Sequence, residues 1–191
     1  MIDHETAVSR SYLIPGQTWP VELGWFYDTF KESRRHAEVG VFCGRSLHAS
    51  CAGMGRATVY AVEQESISVG CETPSTEWTT RVLQATINSL RMTSPEVNII
   101  FCQTGSLQVA RSLRDKEPLD SVLIDARHEY AETLADIQEW VPRLRVGGII
   151  TGHDYCSRFP GVMDAVNELF GRAFSVVPNT RIWYAKKEDL R

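Results

Sequence analysis

Two short words of the chain carry side chains that can do chemistry together, Ile124-Asp125-Ala126-Arg127-His128-Glu129-Tyr130 and Gly152-His153-Asp154-Tyr155. Each follows an apolar run, so each reads as a strand that ends in acids and imidazoles. Ligands of an open α/β sheet sit at the carboxyl ends of its strands. If the two strands are neighbours, Asp125 and Asp154 project from one rim. Two carboxylates and an imidazole there (Asp125, His153, Asp154) can hold a divalent cation. Mg2+ suits oxygen ligands, and a bound cation lowers the pKa of a hydroxyl that it touches. The competing reading is structural: one acid pairs with Arg127 or Arg158, and His153 bonds to backbone. Tyr130 and Tyr155 read as packing or lining residues.

The elements that must position these groups alternate. Short β-branched runs occur near Ala37–Phe42, Thr58–Val62, Val97–Cys102, Ser121–Ile124 and Gly148–Thr151, with helical patterns between them. That alternation is the signature of a parallel sheet with crossover helices. Leu134, Ile137, Val141 and Leu144 place a helix over Tyr130–Leu144, with Gly147 as its C′ residue. Further helices are expected over about Glu77–Met92 and Val162–Phe170. Two late runs, Ala173–Val177 and Arg181–Lys186, are separated only by Pro178-Asn179-Thr180. So short a link cannot house a crossover, so the pair must be antiparallel. Residues 1–35, with Trp19, Trp25, Phe26 and Tyr27, are expected to form a helical or lid segment on the open edge of the sheet. Residues 36–191 form the main domain.

A glycine turn, Ala37 to Ser46, follows the first strand. A dinucleotide site wants G-x-G-x-x-G, whose second glycine lets backbone approach a pyrophosphate. Phe42 occupies that position here, which argues against NAD or FAD. A ligand without a pyrophosphate, such as S-adenosylmethionine, tolerates it. Gly40, Val41, Phe42 and Gly44 would then shape the turn, Ser46 would enter the helix, and Glu38 would reach the amino end of that ligand. Glu63, at the end of the second strand, is placed to accept ribose hydroxyls, with Glu65 as the alternative register. Gln103 and Ser106 leave the third strand where an adenine would lie, although Ser106 also suits a helix N-cap.

Bulk properties exclude several classes. The chain has 191 residues, 43% of them hydrophobic, enough for one core. Net charge is −4 with no basic block, so no nucleic-acid partner is expected. Five cysteines without CxxC spacing speak against a zinc knuckle or a disulfide framework, and for a reducing compartment. The N-terminus lacks the pattern of a signal peptide, and no apolar run approaches the ~20 residues of a membrane span. A cytoplasmic protein without a membrane partner is the expectation.

Taken in order, these residues resemble a class I S-adenosylmethionine-dependent methyltransferase, of the small branch related to macrocin-type sugar O-methyltransferases. The resemblance covers roughly Ala37 to Lys186. It rests on E-x-G-x-x-x-G-x-S at Glu38, Gly40, Gly44 and Ser46, then Glu63, then Ser106. It continues through Asp125, His128 and Tyr130, Asp136 and Trp140, the run ending at Asp154-Tyr155, and Gly161 to Val166. It implies a Rossmann-like, seven-stranded, mostly parallel sheet with a C-terminal antiparallel hairpin and helices on both faces. By the same resemblance S-adenosylmethionine is the cofactor, Asp125 borders it, and Asp125 with the His153-Asp154 pair holds Mg2+. The acceptor would be a small molecule bearing a hydroxyl. One departure matters: where metal-dependent relatives carry a second Asp as general base, this chain has Arg127. A guanidinium stays protonated and cannot take that role. His128 or His153 then serves as base, or metal alone activates the acceptor, or transfer is lost and only cofactor binding remains. Arg127 would otherwise clamp an anionic substrate. With so little lid, the pocket is one that a second copy of the chain can complete, making a homo-oligomer.

Overall fold

The structure, a computed structural model, describes residues 2–64 and 76–189. Its helices and strands run α1 (His4–Tyr12), α2 (Pro20–Phe30), β1 (Arg35–Val39), α3 (Arg45–Ala52), β2 (Ala57–Val62), α4 (Thr76–Thr93), β3 (Val97–Cys102) and α5 (Ser106–Ser112). Then come β4 (Leu119–Ile124), α6 (Tyr130–Trp140), β5 (Leu144–Gly152), α7 (Pro160–Phe170), β6 (Ser175–Val176) and β7 (Trp183–Lys186). One sheet of order β3-β2-β1-β4-β5-β7-β6 holds all seven strands. Strands β1 to β5 pair in parallel, and β7 pairs antiparallel with both β5 and β6. This is the Rossmann-like methyltransferase architecture. The order reverses between β1 and β4, so the crevice that binds ligands in such sheets opens there.

Alternation of side chains across the strands fills two cores. On one face Phe26, Phe30, Leu47, Leu83, Ile87 and Leu90 of α2, α3 and α4 meet Val59, Ala61, Ile99 and Leu123. On the other, Val109, Ile137, Trp140, Val162, Val166 and Phe170 of α5, α6 and α7 meet Val39, Val122, Ile150 and Trp183. The N-terminal segment therefore lies over a sheet face, through α2, and not on the sheet's open edge. Its α1 is tied to α3 by Ser11 Oγ, 2.8 Å from the Ala7 carbonyl and 2.7 Å from the buried His48 Nδ1. No helix among the described residues is long and apolar enough to cross a membrane.

Several local expectations shift. Strand β1 stops at Val39, because Gly40 turns the chain at φ 85°. Helix α6 ends at Trp140, since Pro142 cannot continue it and Val141–Arg143 form a 3-10 turn. Gly147 is thus no helix cap. It lies within β5 at φ 73°, where the pairing of β4 with β5 slips between Leu119 and Ser121. The hairpin strands are shorter than expected, and its turn uses Asn179 at φ 61°.

Trp140 and Asp136, both on α6, have a structural task. The Trp140 indole N–H donates to Ser106 Oγ at 2.8 Å, and Ser106 in turn bonds Asp136. Burial pushes the Asp136 carboxyl up to about 6. The fold thus prefers the neutral acid, a preference that contributes stability below the ordinary carboxylate range and is lost as pH rises through 6. In Asp136→Asn the amide replaces that acid without titrating. Its stability relative to the wild type should rise by about 1–2 kcal/mol between pH 5 and pH 8 in urea unfolding. Parallel profiles for the two proteins would show that folding does not raise the Asp136 carboxyl.

Candidate active site

The glycine turn crosses the end of β4 at close quarters. A Cβ on Gly40 would lie 2.1 Å from the Asp125 carbonyl oxygen and 2.6 Å from Ala126 Cα, so only glycine fits. Gly40 N–H bonds the Val62 carbonyl at 2.9 Å, and Asp125 N–H bonds that of Val39 at 2.8 Å. Gly44, at φ 87°, is the N-cap of α3. Phe42 also sits at positive φ, 47°, with its side chain partly exposed and its N–H on Glu63 Oε2 at 2.8 Å. Val41 points the other way, into the core.

Glu38 is wholly buried and accepts from Ser46 Oγ at 2.7 Å and Ser50 Oγ at 3.2 Å. Ser46 therefore acts on Glu38. Ser50, one helical turn further along α3, was missed in the sequence although its spacing from Ser46 put both on one helix face. Burial raises the Glu63 carboxyl, and the Asp125 charge adds to the shift. Gln103 is exposed where β3 ends. Gly105, not Ser106, is the N-cap of α5, and Ser106 faces Trp140. Glu65 lies outside the described residues.

Beside this turn the ends of β4 and β5 bring Asp125, His128, His153 and Asp154 together. His128 Nε2 is 2.9 Å from Asp154 Oδ2 and 4.0 Å from Asp125 Oδ1. His153 Nδ1 is 3.4 Å from Asp154 Oδ1 and 3.8 Å from Asp125 Oδ2. Two residues that the sequence reading did not name complete the set. Glu22 of α2 lies 3.0 Å from His153 Nε2, and Arg181, just before β7, pairs with Asp154 at 3.1 Å. Arg127 and Arg158, the partners of the acids in the competing structural reading, pair with neither acid among the described residues. Arg127 is exposed without an ion pair among the described residues, and Arg158 lies over the Phe159 ring. Phe159 stacks on His128 with centroids 4.3 Å apart.

The charges divide the two histidines. Burial opposes a charged His153, but Asp125, Asp154 and Glu22 outweigh it and lift the ring to about 11. An imidazolium has no lone pair to give a metal or a proton. Burial also opposes charge on His128, and Asp154 and Asp125 raise it. Burial would raise Asp154, but His128 and His153 hold it well below the usual carboxylate range. Burial takes Asp125 up to about 6 against the pull of His153, with Asp154 adding to the rise. Asp154 sits at φ 60°, a backbone strain of the kind that collects at functional sites.

Ligand atoms of Asp125, His128 and Asp154 all lie within 4.8 Å of one another. The trio able to share a cation thus contains His128 where the sequence reading placed His153. Its donor set fits a hard divalent cation, and among the described residues the buried His128 Nε2, like His153 Nε2, makes no aligned hydrogen bond. Trp25, Phe26 and Tyr27 of the N-terminal segment serve as packing residues. Phe26 is core, Trp25 packs on Tyr184, and the Tyr27 hydroxyl bonds the Ile2 carbonyl. Tyr130 and Tyr155 bond Glu168 and Asn167 of α7, as packing residues.

The profile of a family described as "Methyltransferase domain" matches residues 37–155, more than half of the chain, and the chain belongs to that family. With its fold, this makes it a class I S-adenosylmethionine-dependent methyltransferase. Solved structures agree in fold. An O-methyltransferase from Bacillus cereus in complex with S-adenosylhomocysteine is 14% identical over 96% of this chain and 90% of that one, with a TM-score of 0.66. A methyltransferase from Podospora anserina, bound to the same product, is 10% identical over 96% and 87%, at 0.67. A TDP-rhamnose 3′-O-methyltransferase, an enzyme in calicheamicin biosynthesis, is 17% identical over 87% and 77%, at 0.60. No curated protein matches the sequence significantly.

Gly40 gives the sharpest test of the turn. Gly40→Ala puts a methyl into the Asp125 backbone at a positive φ, and should lower the unfolding midpoint and weaken S-adenosylhomocysteine binding about tenfold or more. Calorimetric binding and stability both matching the wild type would show that the turn does not approach the rim this closely.

Proposed function

We propose that this chain moves the methyl group of S-adenosylmethionine to a hydroxyl of a small, sugar-like acceptor, with a divalent cation held by Asp125, His128 and Asp154. One observation carries the reading: those three side chains stand on adjacent strand ends while the backbone of Asp125 touches the Gly40 turn. Cofactor and acceptor groups thereby meet at one rim. The O-methyltransferases among the structural neighbours, including one named for a TDP-rhamnose acceptor, support oxygen as the target and a sugar as its carrier.

In this reading the glycine turn and Glu63 receive the nucleoside, and Glu38, fixed by Ser46 and Ser50, faces its amino-acid end. When bound, the cation would supply Lewis-acid lowering of the acceptor hydroxyl's pKa. His128, as a ligand of that cation, would have no second lone pair for the acceptor's proton, which would pass to solvent, while Asp154 orients its ring. His153 stays charged and balances the acids. The main protein contribution is orientation, holding the acceptor oxygen about 3 Å from the methyl group in line with its bond to sulfur. Arg127, exposed beside the cluster, is free to meet an acidic group on the acceptor.

The test is product formation from S-adenosylmethionine with a panel of free, glycosidic and nucleotide-linked sugars, in Mg2+, Mn2+ or EDTA. Transfer should appear with a sugar hydroxyl, fall on chelation, and drop about 100-fold or more in Asp154→Asn while S-adenosylhomocysteine still binds. Undiminished rates in EDTA would remove the cation from the account. Tight product binding with no transfer to any acceptor would favour a cofactor-binding module, the outcome to which Arg127 in place of an acid points.

A further inference from the structure

Glu22 is the third residue of α2, where a glutamate commonly caps a helix. Its Oε2 does so, accepting the Trp19 N–H at 2.8 Å. Capping needs only that one oxygen and is usually done at the surface. Here the carboxylate is 1% exposed, and its other oxygen is committed elsewhere. Oε1 lies 3.0 Å from His153 Nε2 and accepts the Arg181 N–H at 3.1 Å. Burying a carboxylate costs several kcal/mol unless partners meet it. Glu22's partners are the residues that flank Asp154.

From this geometry we infer that Glu22 is a positioning residue of the active site, supplied by the N-terminal helix, which holds His153 and Arg181 in place around Asp154. Two routes lead to the acid. With Nε2 facing Glu22 Oε1 as an ion pair, the His153 ring turns Nδ1 toward Asp154 and Asp125. With its backbone N–H fixed on Glu22, Arg181 delivers its guanidinium to Asp154 Oδ1. Both Glu22 and Arg181 lie outside the region 37–155 that the family profile covers. The matched domain alone therefore lacks part of its own site, and the segment before it is integral to the chemistry.

Glutamine separates the two roles, because it can still cap the helix but brings no charge to His153. Glu22→Gln should fold and keep its S-adenosylhomocysteine affinity within about threefold, while kcat falls about tenfold or more. Because the rate rests on the proposed function, a second readout stands apart from activity. In protein labelled with 15N-histidine, Glu22→Gln should shift the ring resonances assigned to His153 through a His153→Gln variant, leaving those of His36 and His48 in place. A folded Glu22→Gln protein with unchanged kcat and unchanged His153 resonances would reduce Glu22 to a helix cap. Loss of cofactor affinity in step with kcat would likewise overturn positioning in favour of general structural support. If the wild type methylates no acceptor, the proposed function fails, and the His153 resonances still decide the role of Glu22.

Discussion

Three carboxylates converge on one imidazole in this protein. Asp125, Asp154 and Glu22 all place an oxygen within 3.8 Å of His153, which is itself buried. Acids so close cannot all stay ionised in a dry interior unless cations meet them, and removing one partner leaves an uncompensated charge. His153 and Arg181 supply the compensation. That requirement reaches well beyond the site. It draws α2 onto the sheet from the N-terminal side and β7 from the C-terminal side, since Glu22 and Arg181 sit next to elements that must dock before the charges balance. A charge set assembled from four chain segments makes the rim a product of the whole fold.

The sheet solves the complementary problem of bringing a cofactor to that rim. Parallel strands β1 and β4 are neighbours, so the loop leaving β1 runs directly over the carboxyl end of β4. Only a residue without a Cβ can make that crossing, which is why Gly40 and the Asp125 backbone are in contact. Glu63 secures the turn from the next strand through the Phe42 N–H. Phe42 accepts a left-handed backbone there, at a cost that this hydrogen bond offsets. Cofactor turn and acid rim are thus parts of one local geometry.

Much of this was legible in the sequence. A parallel sheet with crossover helices followed from the alternation of runs, and the terminal hairpin from a link too short for a crossover. Asp125 and Asp154 were visible as acids at strand ends. The sequence could not show which histidine is free. That depends on where each ring nitrogen points, and His153 is captured by a glutamate more than a hundred positions earlier. Glu22 itself read as part of a lid segment, because a glutamate at the third position of a helix already has a local reason to be there. Ser106 misled in a similar way. A serine opening a helix suggests a cap, yet this one serves Trp140 and Asp136. The end of α6 was misplaced because periodic apolar residues run on past Pro142 into β5.

The most direct test of the account is anomalous diffraction from crystals grown with S-adenosylhomocysteine and Mn2+. The account predicts the nucleoside beside Gly40 and Glu63, a Mn2+ peak bonded to Asp125, His128 and Asp154, and His153 still on Glu22. Product bound at the turn with no peak at the rim, or with the peak on His153, would contradict it.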